Sequence, residues 1–164
     1  MNTGQMMITL GAMMLLGVVI LRVNAGFLNT NNVLLDSKFG VLAVSIATSV
    51  IEEATGKAFD ANTDSNSVDN LIDLTSPGSL GKASWEVYPN FNDFDDYNGL
   101  NIVDSTKSSA MFNIQCVVVY VNAANPEVTA GIRTWHKKIT VTVSSKSMTD
   151  TLRMSSINSY FYFR

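Results

Sequence analysis

The densest group of chemically capable side chains is Asn90-Phe91-Asn92-Asp93-Phe94-Asp95-Asp96-Tyr97-Asn98-Gly99, with three carboxylates and three amides in ten residues. Hard oxygen ligands this closely spaced on a loop suit Ca²⁺, and Asp93, Asp95, Asp96 and Asn98 are the candidate ligands. The spacing does not match an EF-hand, and clusters of Asp, Asn and Gly also form metal-free turns by bonding their own backbone. Calcium is one reading and a structural turn is the other. No other cofactor is expected.

Arg133, His136, Lys137 and Lys138 form the one basic cluster. Contact with DNA or with an acidic partner is one use for it, but successive residues of a strand point to opposite faces, so a solvated sheet edge is the expectation. Glu52-Glu53 is expected to cap a solvated helix face. The single cysteine, Cys116, lies in an apolar run and reads as a small buried hydrophobe. One cysteine leaves no intrachain disulfide framework and no multi-cysteine metal site. One histidine, His136, gives little material for a His-based zinc or iron centre. Nothing places His136 beside one of the many serines, so no catalytic residues are assigned and an enzyme is not expected. The net charge of −3 argues against a nucleic-acid partner, which calls for a concentrated basic surface.

The elements that carry these residues follow from patterning. Charged residues are only 15% of the 164, against about 25% in ordinary soluble domains. The deficit is concentrated at the start, where Arg22 is the single charge before Asp36. Gln5 to Leu21 is an uncharged, largely apolar run of 17 residues, at the lower end of the ~17–25 needed to cross a bilayer as a helix. A cleaved secretory signal fits poorly, because Met1 to Gly4 hold no basic residue and Val23-Asn24-Ala25 is a weak cleavage site. Asn24-Ala25-Gly26 and Asn29-Thr30-Asn31-Asn32 are poor helix formers that end the helix, kink it or leave an extended stretch.

Leu35, Phe39, Leu42, Ile46 and Val50 then recur at spacings of four, three, four and four, one face of a second helical segment. Gly40, Ala43 and Ala47 permit close approach of a neighbour, and Gly56 offers a stop. The region around Ala61 to Ala110 is loop-like, with Trp85, Tyr88, Phe91, Phe94 and Tyr97 expected to pin it to the fold. Phe112–Val121, Thr134–Ser144 and Thr149–Tyr160 read as strands, separated by turns at Ala123–Pro126 and Ser144–Ser147. Val117, Val119, Ile139 and Val141 are expected to supply the core of the sheet.

The fold class expected is therefore α+β: a long N-terminal helix, apolar then amphipathic, packed on a C-terminal antiparallel β-meander. The segments are 1–32, an apolar membrane or filament-core helix; 33–56, an amphipathic helix covering the sheet; 57–110, an aromatic-pinned connection; and 111–164, the meander.

This arrangement resembles the type IV pilin-like superfamily. Gly4-Gln5 before the apolar run looks like a prepilin peptidase site, making these two the candidate processing residues. Ala43 through Glu53, with Ala58-Phe59-Asp60 beyond, is similar to the helix end of several pilin-like proteins, and Asp95-Asp96-Tyr97-Asn98-Gly99-Leu100 to a loop that precedes their sheet. Family leaders carry basic residues, and Met1-Asn2-Thr3 has none. The first mature residue is commonly Phe and the fifth Glu; counted from Gln5, these positions are Gln5 and Thr9. The family's pairing of that glutamate with a neighbouring amine is absent, so either cleavage differs or apolar packing sets the assembly.

The resemblance implies a structural subunit of an extracellular pilus-like filament. It would start in the inner membrane and become methylated and polymerised by assembly machinery into a helical homopolymer at the cell surface. Thr9, Leu10, Leu15, Leu16, Val18, Val19, Ile20 and Leu21 are the candidate assembly residues. A minor pilin or secretion pseudopilin is the alternative within the family. A singly anchored surface-binding module is the alternative of another class.

Overall fold

The computed structural model describes residues 2–105 and 110–160. Of the segments read from sequence, Met1 of the apolar head, residues 106–109 of the connection and 161–164 of the meander lie outside the described residues. Thr3–Thr55 is one continuous α-helix, α1. The run from Asn24 to Asn32 neither ends nor interrupts it. Gly and Asn lower helix stability by up to about 1 kcal/mol each, but none of these residues removes a backbone donor as proline would. Thr30 also returns its hydroxyl to the Gly26 carbonyl at 3.0 Å. The helix stops at Thr55, where Gly56 follows with its N–H on the Glu52 carbonyl.

The chain divides into two compact units, Met1–Lys38 and Phe39–Arg164. The described part of the first is the N-terminal part of α1 alone. The second unit takes the rest of α1, the connection and the sheet.

The sheet is antiparallel and five-stranded, built from Asn101–Asp104 (β1), Phe112–Asn122 (β2), Asn125–Thr129 (β3), His136–Ser144 (β4) and Leu152–Ser159 (β5). Its order is β1-β2-β4-β5, with β3 pairing the end of β2. Three of these strands match the sequence expectation. The two short ones, β1 and β3, do not, and Asn125-Pro126 belongs to β3 rather than to the turn before it.

One face of the helix closes over one face of the sheet. Phe39, Ala43, Ile46, Ala47, Val50 and Ala54 pack with Phe112, Ile114, Cys116, Val118, Ile139, Val141 and Val143 in a single buried cluster. Ala43 and Ala47 are fully buried, as close approach of the helix backbone requires. Leu42 packs against this cluster, whereas Leu35 is exposed and belongs to the first unit.

The expected inward pair on β2 is corrected: Val117 is exposed and Val119 half-buried, while Ile114, Cys116, Val118 and Tyr120 point inward. The run is apolar on both parities, so alternation alone carries no information about which side faces the helix.

Candidate functional site

Two features could carry function, one in each unit. In the first unit, every described residue from Asn2 to Leu35 is exposed. Leu10, Leu15, Leu16, Val18, Val19, Ile20 and Leu21 are each at least 47% exposed. Gly4 and Gln5 lie in the first turn of α1, with the Gln5 N–H on the Asn2 carbonyl at 2.9 Å. Thr9 directs its hydroxyl to the Met6 carbonyl at 2.9 Å, so its polar group is satisfied within the helix. By length and composition α1 can cross a membrane. Side chains this apolar, left without protein neighbours, need a lipid or protein environment to leave water.

The second feature is buried and lies entirely in the second unit. On β4 the residues Lys137, Ile139, Val141 and Val143 alternate inward, so the strand that supplies three core aliphatics also turns a lysine into the protein. Lys137 is fully buried, not on a solvated edge. Its ammonium donates to the Phe59 carbonyl at 2.8 Å, to Asp60 Oδ2 at 2.8 Å and to Asp95 Oδ1 at 2.5 Å. The Phe59 and Tyr120 rings lie 4.6 and 5.3 Å from the same nitrogen. All three donors of the ammonium are thus satisfied in a dry surrounding, which is what a buried lysine requires.

Asp60 comes from the turn after α1, where it caps a single 3₁₀ turn at Ala61–Thr63. Its carboxylate also accepts from the Asn62 N–H, the Thr75 N–H and the Thr75 hydroxyl at 2.9–3.2 Å. Burial raises its pKa, but the charge and hydrogen bond of Lys137, with the Thr75 and Asn62 N–H groups, outweigh this and hold it below the usual range.

The Asp-rich loop arrives from the other side. Ala58 and Asp93 form a parallel bridge, with the Phe94 N–H on the Ala58 carbonyl at 2.9 Å. Asp93 Oδ1 then accepts from the Asp95 and Asp96 N–H groups at 2.9 and 3.3 Å, and Asp96 Oδ2 from those of Asn92 and Asp93 at 3.1 and 3.3 Å. These reciprocal bonds close the turn on itself. Burial, the neighbouring Asp95 with its hydrogen bond, and Asp96 together push the Asp93 carboxyl up to about 8, with Lys137 opposing. Asp95 and Asp96 are raised as well, chiefly by burial.

The candidate calcium ligands therefore have a different role. Asp95 serves Lys137, Asp93 and Asp96 serve backbone N–H groups, and Asn98 bridges strand and loop by accepting from the Val118 N–H at 3.0 Å and donating to the Leu80 carbonyl at 2.9 Å. Among the described residues no group of three or more His, Cys, Asp or Glu is placed to hold a metal ion.

The remaining sequence candidates disperse. Arg133 reaches the Leu74 carbonyl at 2.7 Å, His136 Nδ1 pairs with the Ser159 hydroxyl at 2.7 Å, and Lys138 meets Glu127 at 3.5 Å. Glu53 is half-buried and accepts from the Tyr88 hydroxyl at 3.3 Å, whereas Glu52 is exposed. Cys116 is buried, and burial pushes its thiol up to about 12. Phe91, Phe94 and Tyr97 pin the loop as expected; Trp85 is 81% exposed and does not. Comparison with known proteins found no matching family model, no matching curated protein and no matching solved structure.

Proposed function

We propose that this protein is a structural subunit of an extracellular type IV pilus-like filament, anchored by its head in a membrane before assembly. The observation that carries the reading is the division of labour along α1. Residues 39–54 bury one face on the sheet, while the apolar residues from Met6 to Leu35 are exposed among the described residues. A helix with that unburied apolar surface is suited to a bilayer first and to a bundle of identical helices afterwards. Lipid tails are already apolar, so withdrawal from the bilayer gains little hydrophobic free energy, and an energy-driven assembly machine has to supply the work. Inside the bundle, apolar side chains stay out of water, at about 25 cal/mol per Å² relative to exposure. The sheet unit forms the outer wall.

Mechanical shearing of intact cells tests this reading. A filament subunit is released with the sheared surface material as its dominant protein. A singly anchored module remains with the membranes, and that result would overturn the filament reading.

A further inference from the structure

We propose that Lys137 and Asp95 become joined by a side-chain amide, an intramolecular isopeptide bond made by the folded chain itself. The inference does not depend on the filament reading. It rests on an amine and a carboxyl group held in contact, buried, beside a second carboxylate able to move protons. Lys137 Nζ lies 2.5 Å from Asp95 Oδ1 and 2.8 Å from Asp60 Oδ2, and all three side chains are essentially inaccessible to solvent. Two reacting groups fixed in this way act at effective concentrations of about 10⁵–10⁸ M when their alignment is productive.

The two aspartates are not equivalent. Asp60 receives two N–H groups and the Thr75 and Tyr120 hydroxyls besides Lys137, which favours its anionic form and suits it to accept a proton. Among the described residues no backbone N–H donates to the Asp95 carboxylate, which accepts from Lys137. Its side-chain partner besides Lys137 is Asp93, whose elevated pKa keeps it largely protonated at neutral pH. A neutral acid donating to the Asp95 carboxyl polarises that carbon and stabilises the oxygen on which charge develops. Asp95 is thus the electrophile and Asp60 the proton relay.

The step balances without any co-reactant. Asp60 takes one proton from the Lys137 ammonium, leaving a neutral amine. The nitrogen lone pair forms the new bond to Asp95 Cγ, and one C–O bond of Asp95 breaks. The departing oxygen leaves as water with two protons from Nζ, one relayed through Asp60 and one transferred directly. The third hydrogen of Nζ remains as the amide N–H, already directed at the Phe59 carbonyl. One ammonium and one carboxylate become one neutral amide and one water, and Asp60 ends as it began. The amide removes the desolvation penalty of the Lys137 and Asp95 charges beside the Phe59 and Tyr120 rings, and it leaves the Asp60 carboxylate to the Asn62 and Thr75 N–H groups and the Thr75 hydroxyl.

Mass spectrometry of the denatured full-length chain tests the bond directly, with Lys137→Arg as the variant that has no acylable amine. The wild-type mass is expected to fall one water below that of its unmodified chain, and the Lys137→Arg mass to show no deficit. Trypsin is expected to leave the peptide 134–138 covalently attached to 83–107, with fragmentation placing the junction at Lys137 and Asp95. Attachment to 58–82 instead would put the bond on Asp60 and overturn the assignment. A full wild-type mass with cleavage after Lys137 would overturn the proposal outright, whether or not the variant folds.

Discussion

At the scale of residues, Lys137 is the one fully buried cation among the described residues of the second unit. Lys137 gathers the turn after α1, through Phe59 and Asp60, and the Asp-rich loop, through Asp95, onto β4. The charge states there have opposite pH dependences. Asp60 is lowered, so its contribution to stability is present above the usual carboxylate range and is lost as pH falls through its folded pKa. Asp93 is raised from 3.8 to about 8, so its contribution is complete below about pH 4 and is lost as pH rises to about 8. Asp93→Asn keeps a carbonyl for the Asp95 and Asp96 N–H groups and gives a permanent donor in place of the protonated acid. Its melting temperature should rise relative to the wild type as pH increases from about 4 to about 8. Parallel melting curves across that range would show that Asp93 is not held protonated. The buried lysine was legible in principle: Lys137 shares its parity with Ile139, Val141 and Val143, the alternation that identifies the strand. What hid it was its charge, since lysine is almost never fully buried unless paired, and its partners lie 42 and 77 residues away in sequence.

At the scale of elements, α1 is held to the sheet by small residues as much as by large ones. Ala43, Ala47 and Ala54 have no accessible surface, so the helix backbone rides close over the strands. Ala47→Leu inserts a side chain where no space remains, and overpacking of this kind costs about 1–3 kcal/mol. Denaturant unfolding should show that loss, whereas the same change at the exposed Val41 position, Val41→Leu, should leave stability within about 0.5 kcal/mol. An unaltered midpoint for Ala47→Leu would mean that the helix is not seated as described. β4 and the second half of the helix were legible from periodicity, and β2 from its run of β-branched and aromatic residues. β1 was not, since four residues carrying two aliphatics show no distinguishable period. β3 was masked by Pro126, which reads as a turn residue but is tolerated in a strand at an edge. The continuity of α1 through Asn24–Asn32 escaped for a similar reason: propensity is a weak prior, and only proline would have enforced a break.

At the scale of the whole molecule, the two units differ in what surrounds their apolar side chains. The sheet unit buries its own, in one cluster from Phe39 to Val143 and a smaller one around Phe59, Val68, Leu74 and Tyr120. The head leaves Met6 through Leu34 exposed, and a filament core would be where they are covered. The apolar character of that head was plain from composition alone, because charge is almost absent before Asp36. The exposure of its described residues was not, because an apolar helix is equally suited to a protein core. Deleting Met1 through Asn32 removes most of the head and spares every helix residue that the sheet buries, the first of which is Phe39. The decisive measurement is electron microscopy of sheared surface material from cells producing either the full chain or this truncated form, with sedimentation of the truncated form in solution. The filament account requires filaments from the full chain only, and a truncated protein that sediments as a folded monomer. Filaments of normal diameter from the truncated chain would contradict it, because the head could not then be the element that assembles them.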